Sequence, residues 1–164
     1  MANQWKYSVK QDVKMPKVEG NMETAKMKAA VNKALVKGAQ KGASYVEAGL
    51  ITALNKSMDS QWTWNQGSRD IVDTGKLKAS AKIITKFAQT KVSFQVQYNT
   101  PYAAFVHYGG VMKPYGNKYA ADVIIPGRPW VKAVLEGSHG QEKFDFRVPF
   151  DRGISEQWSA QFGT

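Results

Sequence analysis

At 164 residues, 43% apolar and 22% charged, the chain holds enough material for one cored domain and too little for two comfortable ones. It contains no cysteine, which excludes disulfides, thiolate nucleophiles and cysteine-ligated zinc; no run is apolar enough for a bilayer span or signal peptide, so a cytoplasmic start and no membrane partner are expected. The formal charge of +10 is spread evenly: ten Lys against five acids in residues 1–60, and thirteen Lys or Arg against eight acids in residues 61–164.

Such a balance either keeps the surface solvated or serves an acidic partner, nucleic acid or a negative protein surface. Five Trp, seven Tyr and seven Phe supply both a core and, where exposed, interfaces.

Residues 1–20 place polar and small apolar residues around Lys6, Lys10, Lys14 and Lys17 with no helical stripe. They read as an extended arm that orders when a neighbour receives it, ahead of a single domain over residues 21–164. Asn21 is placed to cap a helix and Glu23 to face its N-terminal dipole. Met27, Val31, Ala34, Leu35, Val46, Leu50, Leu54 and Met58 recur mostly at spacings of three and four, predicting one helix from about Met22 to about Met58. Gly38, Gly42 and Gly49 mark either a kink near 38–42 or the close approach of another backbone. Lys26, Lys33, Lys37 and Lys41 share one face, either an ordinary solvated surface or a basic stripe toward DNA or an acidic neighbour.

Trp62 and Trp64 alternate, which suits a short strand or an exposed aromatic loop able to stack single-stranded bases. Thr74 can cap a short helix opening at Gly75, with Leu77 buried beneath it. Residues 81–87 and 92–98 form a hairpin, since Val92, Phe94, Val96 and Tyr98 alternate with Ser93, Gln95 and Gln97. Pro101 opens a helix to Tyr108 that stops at Gly109 and Gly110, and residues 109–122 read as a loop free to extend as an arm. Residues 123–125 form a short strand, and Pro129 opens a helix ended by Gly137. After a polar connector over 138–145, Phe150, Ile154, Trp158 and Phe162 at four-residue intervals predict an amphipathic C-terminal helix. The sum is an α+β fold: a long N-terminal helix packed with a small antiparallel sheet, several short helices and the C-terminal helix.

Enzyme chemistry finds little support. His107 and His139 have no ligand partner at three or four residues, and His107 reads as a packed or surface histidine. Gly75-Lys76 fails the phosphate-loop pattern, because Asp70 stands at the earlier glycine position and Leu77 follows the lysine. Asp70 and Asp73 could hold Mg²⁺, although pairing with Arg69 and stabilisation of the Gly75 turn account for them more simply. No catalytic residue, metal or cofactor is expected.

Three ordered segments carry a resemblance: Asp73-Thr74-Gly75-Lys76-Leu77 with Ala79-Ser80, Tyr102-Ala103-Ala104-Phe105-Val106-His107-Tyr108-Gly109, and Ile125-Pro126-Gly127-Arg128-Pro129-Trp130. Over residues 68–136 the chain resembles the head–tail joining or tail-completion family of tailed bacteriophages, which overlaps with minor tail and virion morphogenesis proteins. Trp130 departs from the commoner Phe or Leu and keeps a large apolar anchor. The resemblance implies a structural virion protein of the neck that forms a closed ring, a hexamer favoured over a dodecamer, between the DNA-filled head and the tail. Its partners would be copies of itself, neighbouring connector, tail-terminator or tail-tube proteins, and genomic DNA in the channel. Within that scheme Gly75 makes a tight turn over Leu77, while Tyr102, Phe105 and Val106 pack one side of their helix on the hairpin. Gly109 releases the chain into a contact loop. Pro126 and Pro129 hold the backbone extended, and Arg128 offers a fixed guanidinium to a carboxylate across the interface. The alternative is a nucleic-acid-binding module using the lysine stripe and the aromatic residues Trp62 and Trp64.

Overall fold

The computed structural model describes residues 5–18, 20, 24–60, 62–64, 67–69, 75–112 and 121–163. In chain order the elements are β1 (Trp5–Lys14), α1 (Ala25–Asp59), β2 (Trp62–Trp64), β3 (Gly67–Arg69), α2 (Lys76–Ala79), β4 (Ala81–Phe87), β5 (Lys91–Tyr98), α3 (Ala103–Tyr108), β6 (Gly109–Met112), β7 (Val123–Pro126), α4 (Trp130–Glu136) and α5 (Arg147–Phe162). The fold is α+β, and no helix among the described residues is long and apolar enough to cross a membrane.

Helix α1 runs 35 residues, about 52 Å at 1.5 Å per residue. The anticipated cap Asn21 and its neighbour Glu23 lie outside the described residues; the described helix is capped by Thr24, whose hydroxyl oxygen accepts the Met27 N–H at 3.2 Å. Val46, Leu50, Leu54 and Met58 are wholly buried along one stripe. Burying each side chain of this size is worth about 1.5–3 kcal/mol, which offsets the helix-weakening glycines. The helix passes Gly38 and Gly42 without interruption. Of the two readings of these glycines, close approach is the one realised. A Cβ on Gly42 would lie 2.5 Å from the Phe150 carbonyl oxygen, and one on Gly38 would lie 3.0 Å from the Ile154 Cα.

Three strands form a sheet in the order β1-β5-β4. On β5, Val92, Phe94, Val96 and Tyr98 are all buried, as their alternation predicts. The arm expected to wait for a neighbour is extended over β1 but takes its partner from its own chain: the Met15 N–H donates to the Thr90 carbonyl at 2.8 Å, and Asp12 accepts from Lys91 Nζ and Ser93 Oγ at 2.7 and 2.8 Å. Two further ribbons stand as separate two-stranded sheets, β2-β3 and β6-β7. The second corrects the expected loop. Residues 109–112 pair antiparallel with 123–126, placing Gly109 opposite Pro126 and Val111 opposite Ile124.

The chain divides into two compact units, one of residues Met1–Ser8, Thr52–Lys82 and Val96–Phe144, the other of Val9–Ile51, Ile83–Gln95 and Asp145–Thr164. The first holds Leu54, Met58, Leu77, Tyr98, Trp130, Val131 and Val134 in its interior, and the second holds Val31, Val46, Leu50, Val92, Phe94 and Phe150. In the second unit a side-chain hydrogen bond from Thr85 to Glu47 ties β4 to α1. On α5, Phe150 is fully buried, Ile154 and Trp158 are half-buried and Phe162 is exposed, so the apolar stripe turns outward toward its end. A stripe kept at four residues slips about 40° per step on a helix of 3.6 residues per turn.

Candidate functional site

The first unit gathers the described parts of all three motif segments. Gly75 has φ of 72°, the left-handed conformation its turn requires, and Leu77 on α2 is buried. Asp73 and Thr74 lie outside the described residues, as does Asp70. Past α2, the Asn99 N–H donates to the Ser80 carbonyl at 3.4 Å, joining the end of this segment to the end of β5.

The second and third segments meet backbone to backbone. A Cβ on Gly109 would lie 2.4 Å from the Gly127 nitrogen, and one on Gly127 would lie 2.5 Å from the Tyr108 carbonyl carbon. No side chain fits at either position. Next to this contact the Arg128 N–H donates to the Val106 carbonyl at 2.9 Å. The base of the β6–β7 ribbon is thereby braced against α3.

Trp130 anchors the same region. It is fully buried, its indole N–H donates to the Tyr98 hydroxyl at 2.9 Å, and its carbonyl accepts from Ser57 Oγ at 3.4 Å. His107 stands edge-on to Trp130 and Tyr108, with ring centres 5.0 and 4.6 Å apart. Of the readings open to it, the packed histidine holds. Burial, with the Lys132 charge as a lesser cause, lowers its pKa to about 4, so it is neutral near pH 7. Burial likewise holds the Tyr98 phenol well above its ordinary range.

Other expected roles shift. Tyr102 is exposed, and the buried side of α3 is Ala103 and His107; the Phe105 ring instead covers Gly110 of the ribbon, 2.6 Å from where a Cβ would stand. Gly109 begins a strand rather than a loop. Pro126 closes β7 and Pro129 precedes α4, both half-buried, and Arg128 is half-buried rather than projecting. What does project is apolar: Val111 and Ile124, a cross-strand pair, are 59% and 73% exposed, and Tyr108 is 63% exposed.

Of the lysine stripe, Lys26, Lys33 and Lys37 are exposed, and no described carboxylate pairs with them. Lys41 departs from it. Its Nζ lies 2.8 Å from Glu156 Oε2 on α5, an oxygen that also accepts from the Tyr45 hydroxyl at 2.6 Å, while Arg152 Nε donates to Oε1 at 2.8 Å. Those hydrogen bonds, Lys41 first, lower the Glu156 pKa to about 2. Sequence reasoning missed this cluster because Tyr45 and Glu156 lie 111 residues apart and carry no local signature.

Trp62 does not offer a stacking face. It is only 8% exposed, its indole N–H donates to the Ser57 carbonyl at 3.0 Å, and its ring packs 5.3 Å from that of His139. The Trp64 side chain lies outside the described residues. Among the described residues no group of three or more His, Cys, Asp or Glu is placed to hold a metal ion. No protein-family model matches the chain, nor does any curated protein or solved structure.

Proposed function

We propose that the chain is a structural subunit of a tailed-phage particle, a neck or tail-completion protein that assembles into a ring joining head to tail. The observation that carries this reading is the β6–β7 ribbon, braced at Gly109 and Gly127 and presenting Val111 and Ile124 to solvent. A closed ring is built from heterologous contacts, in which one face of a subunit meets a different face of the next. The ribbon supplies one such face: two large β-branched side chains on a fixed base, with strand edges that pair with no third strand among the described residues. The meeting of the second and third motif segments at that base adds support from the resemblance. No step of this role needs a nucleophile, metal or cofactor.

Immunogold electron microscopy of purified virus particles, with antibody to this protein, tests the reading. Gold at the head–tail junction upholds the neck role. Gold along the shaft moves it to a minor tail protein, and well-controlled particles without label, opened ones included, remove it.

A further inference from the structure

We infer that the outer face of α1, through Lys26, Lys33 and Lys37 and without Lys41, docks on the phosphate backbone of duplex DNA without reading its sequence. The inference does not rest on the ring reading and can stand or fall apart from it.

At 100° per residue the three lysines fall within about 40° of one another. The buried Val31, Gly38, Gly42 and Val46 stand about 120–200° round the axis from Lys26, so the lysines point away from the packed side. From Lys26 to Lys37 the helix rises about 16 Å, close to the length of five base pairs at 3.4 Å each. No Asp or Glu occurs between Glu23 and Glu47, so that stretch carries Lys26, Lys28, Lys33, Lys37 and Lys41 with no acid of its own.

The carboxylate that does reach this helix comes from α5. Glu156 engages Lys41 and thereby sets the end of the free stripe. An extended row of ammonium groups complements a regular row of phosphates, since each phosphate neutralised releases condensed counterions.

The chemistry of the face selects among polyanions. Ammonium groups bind phosphate as point charges, so a row of them needs no matching side-chain geometry on its partner. Single strands are bound by stacking on aromatic rings, and α1 carries no aromatic residue before Tyr45. Discrimination of RNA uses its 2′-hydroxyl, whereas the Ser44 hydroxyl on this side of the helix is turned back to the Gln40 carbonyl at 3.2 Å. The row itself is charge alone, flanked by the exposed Gln40, and suits a duplex met in any sequence.

The test is a fluorescence-anisotropy titration of the full chain against a labelled, mixed-sequence DNA duplex over a salt series. Neutralising three phosphate contacts is worth about −0.9 each in the slope of log affinity against log salt. The triple variant K26Q/K33Q/K37Q should therefore be shallower than the native chain by about 2.7. The charge-keeping K26R/K33R/K37R should keep the native slope, and K41Q/E156Q, which removes a pair already neutralised, should keep it as well. Circular dichroism establishes that each variant is folded. An unchanged slope in the triple glutamine variant overturns the inference. So does tighter lysine-dependent binding of polyglutamate, which would assign the face to an acidic protein, or of duplex RNA.

Discussion

Gly153 and Gly42 meet so closely that a methyl group on Gly153 would lie 2.2 Å from the Gly42 backbone nitrogen. Helices α1 and α5 touch there main chain to main chain, beside the fully buried Phe150 ring. Neither glycine has a positive φ, so both are held by space alone.

Gly153→Ala should therefore destabilise by about 1–3 kcal/mol or more, the cost of overpacking against backbone that cannot rotate aside. Asn32→Ala, at an exposed position of the same helix, should be neutral or slightly stabilising, since alanine is the better helix former by up to about 0.7 kcal/mol. Urea denaturation of the two variants checks the contrast; equal effects would show that the crossing is loose.

Tyr98→Phe removes the hydroxyl that accepts the buried Trp130 indole N–H. A loss of about 1–3 kcal/mol is expected, with the fold kept. Trp130→Ala should cost about 3–5 kcal/mol, because it empties the position at which Tyr98, His107 and Ser57 meet. Chemical denaturation followed by circular dichroism measures both, and a silent Tyr98→Phe would contradict the hydrogen bond.

The histidine sets a pH window. His107 takes a proton near pH 6.5 when unfolded and only near pH 4 when folded, so between those values the unfolded chain binds more protons. The contribution of His107 to stability should fall as pH drops through that interval and be constant on either side. Glu156 acts lower: its folded pKa of about 2 lies below its ordinary 4.5, and the stability it contributes is lost as pH falls across that range. In His107→Leu the upper part of the decline should vanish while the lower remains. Denaturant midpoints against pH, measured on both chains, decide this.

Val111→Lys with Ile124→Lys tests the ribbon. Both side chains are exposed, so monomer stability should move by no more than about 0.5 kcal/mol. On the ring role proposed above, incorporation into particles should be lost. Complementation with the variant, scored by electron microscopy of the progeny, measures it; normal tailed particles would remove the ribbon from the assembly contacts.

Local periodicity made much of the fold legible. The stripe through Val46, Leu50, Leu54 and Met58 and the alternation through Val92, Phe94, Val96 and Tyr98 both describe faces that are now buried. Partnerships between distant residues were not legible. Gly109-Gly110-Val111-Met112 has the composition of a loop and becomes a strand because residues 123–126 lie beside it. The lysine stripe was correct as geometry, yet its last member is neutralised by a carboxylate 115 positions along the chain, Lys41 being the one that Glu156 holds. The glycines of α1 announced either a bend or a contact, and only the position of Phe150 and Gly153 decides between them.

Strand β1 precedes every other described element in the chain and is among the last able to find its place. Its Asp12 is bound by residues 79 and 81 positions later, whereas β4 and β5 are joined by a short turn. The local hairpin closes first, and β1 must then cross a loop of some eighty residues, an entropic delay that slows long-range pairing. Throughout that interval β5 offers an open edge, and the β1 of a second chain fits it as well as its own. The topology is thus open to exchange of β1 between two chains, a swap that a higher chain concentration favours.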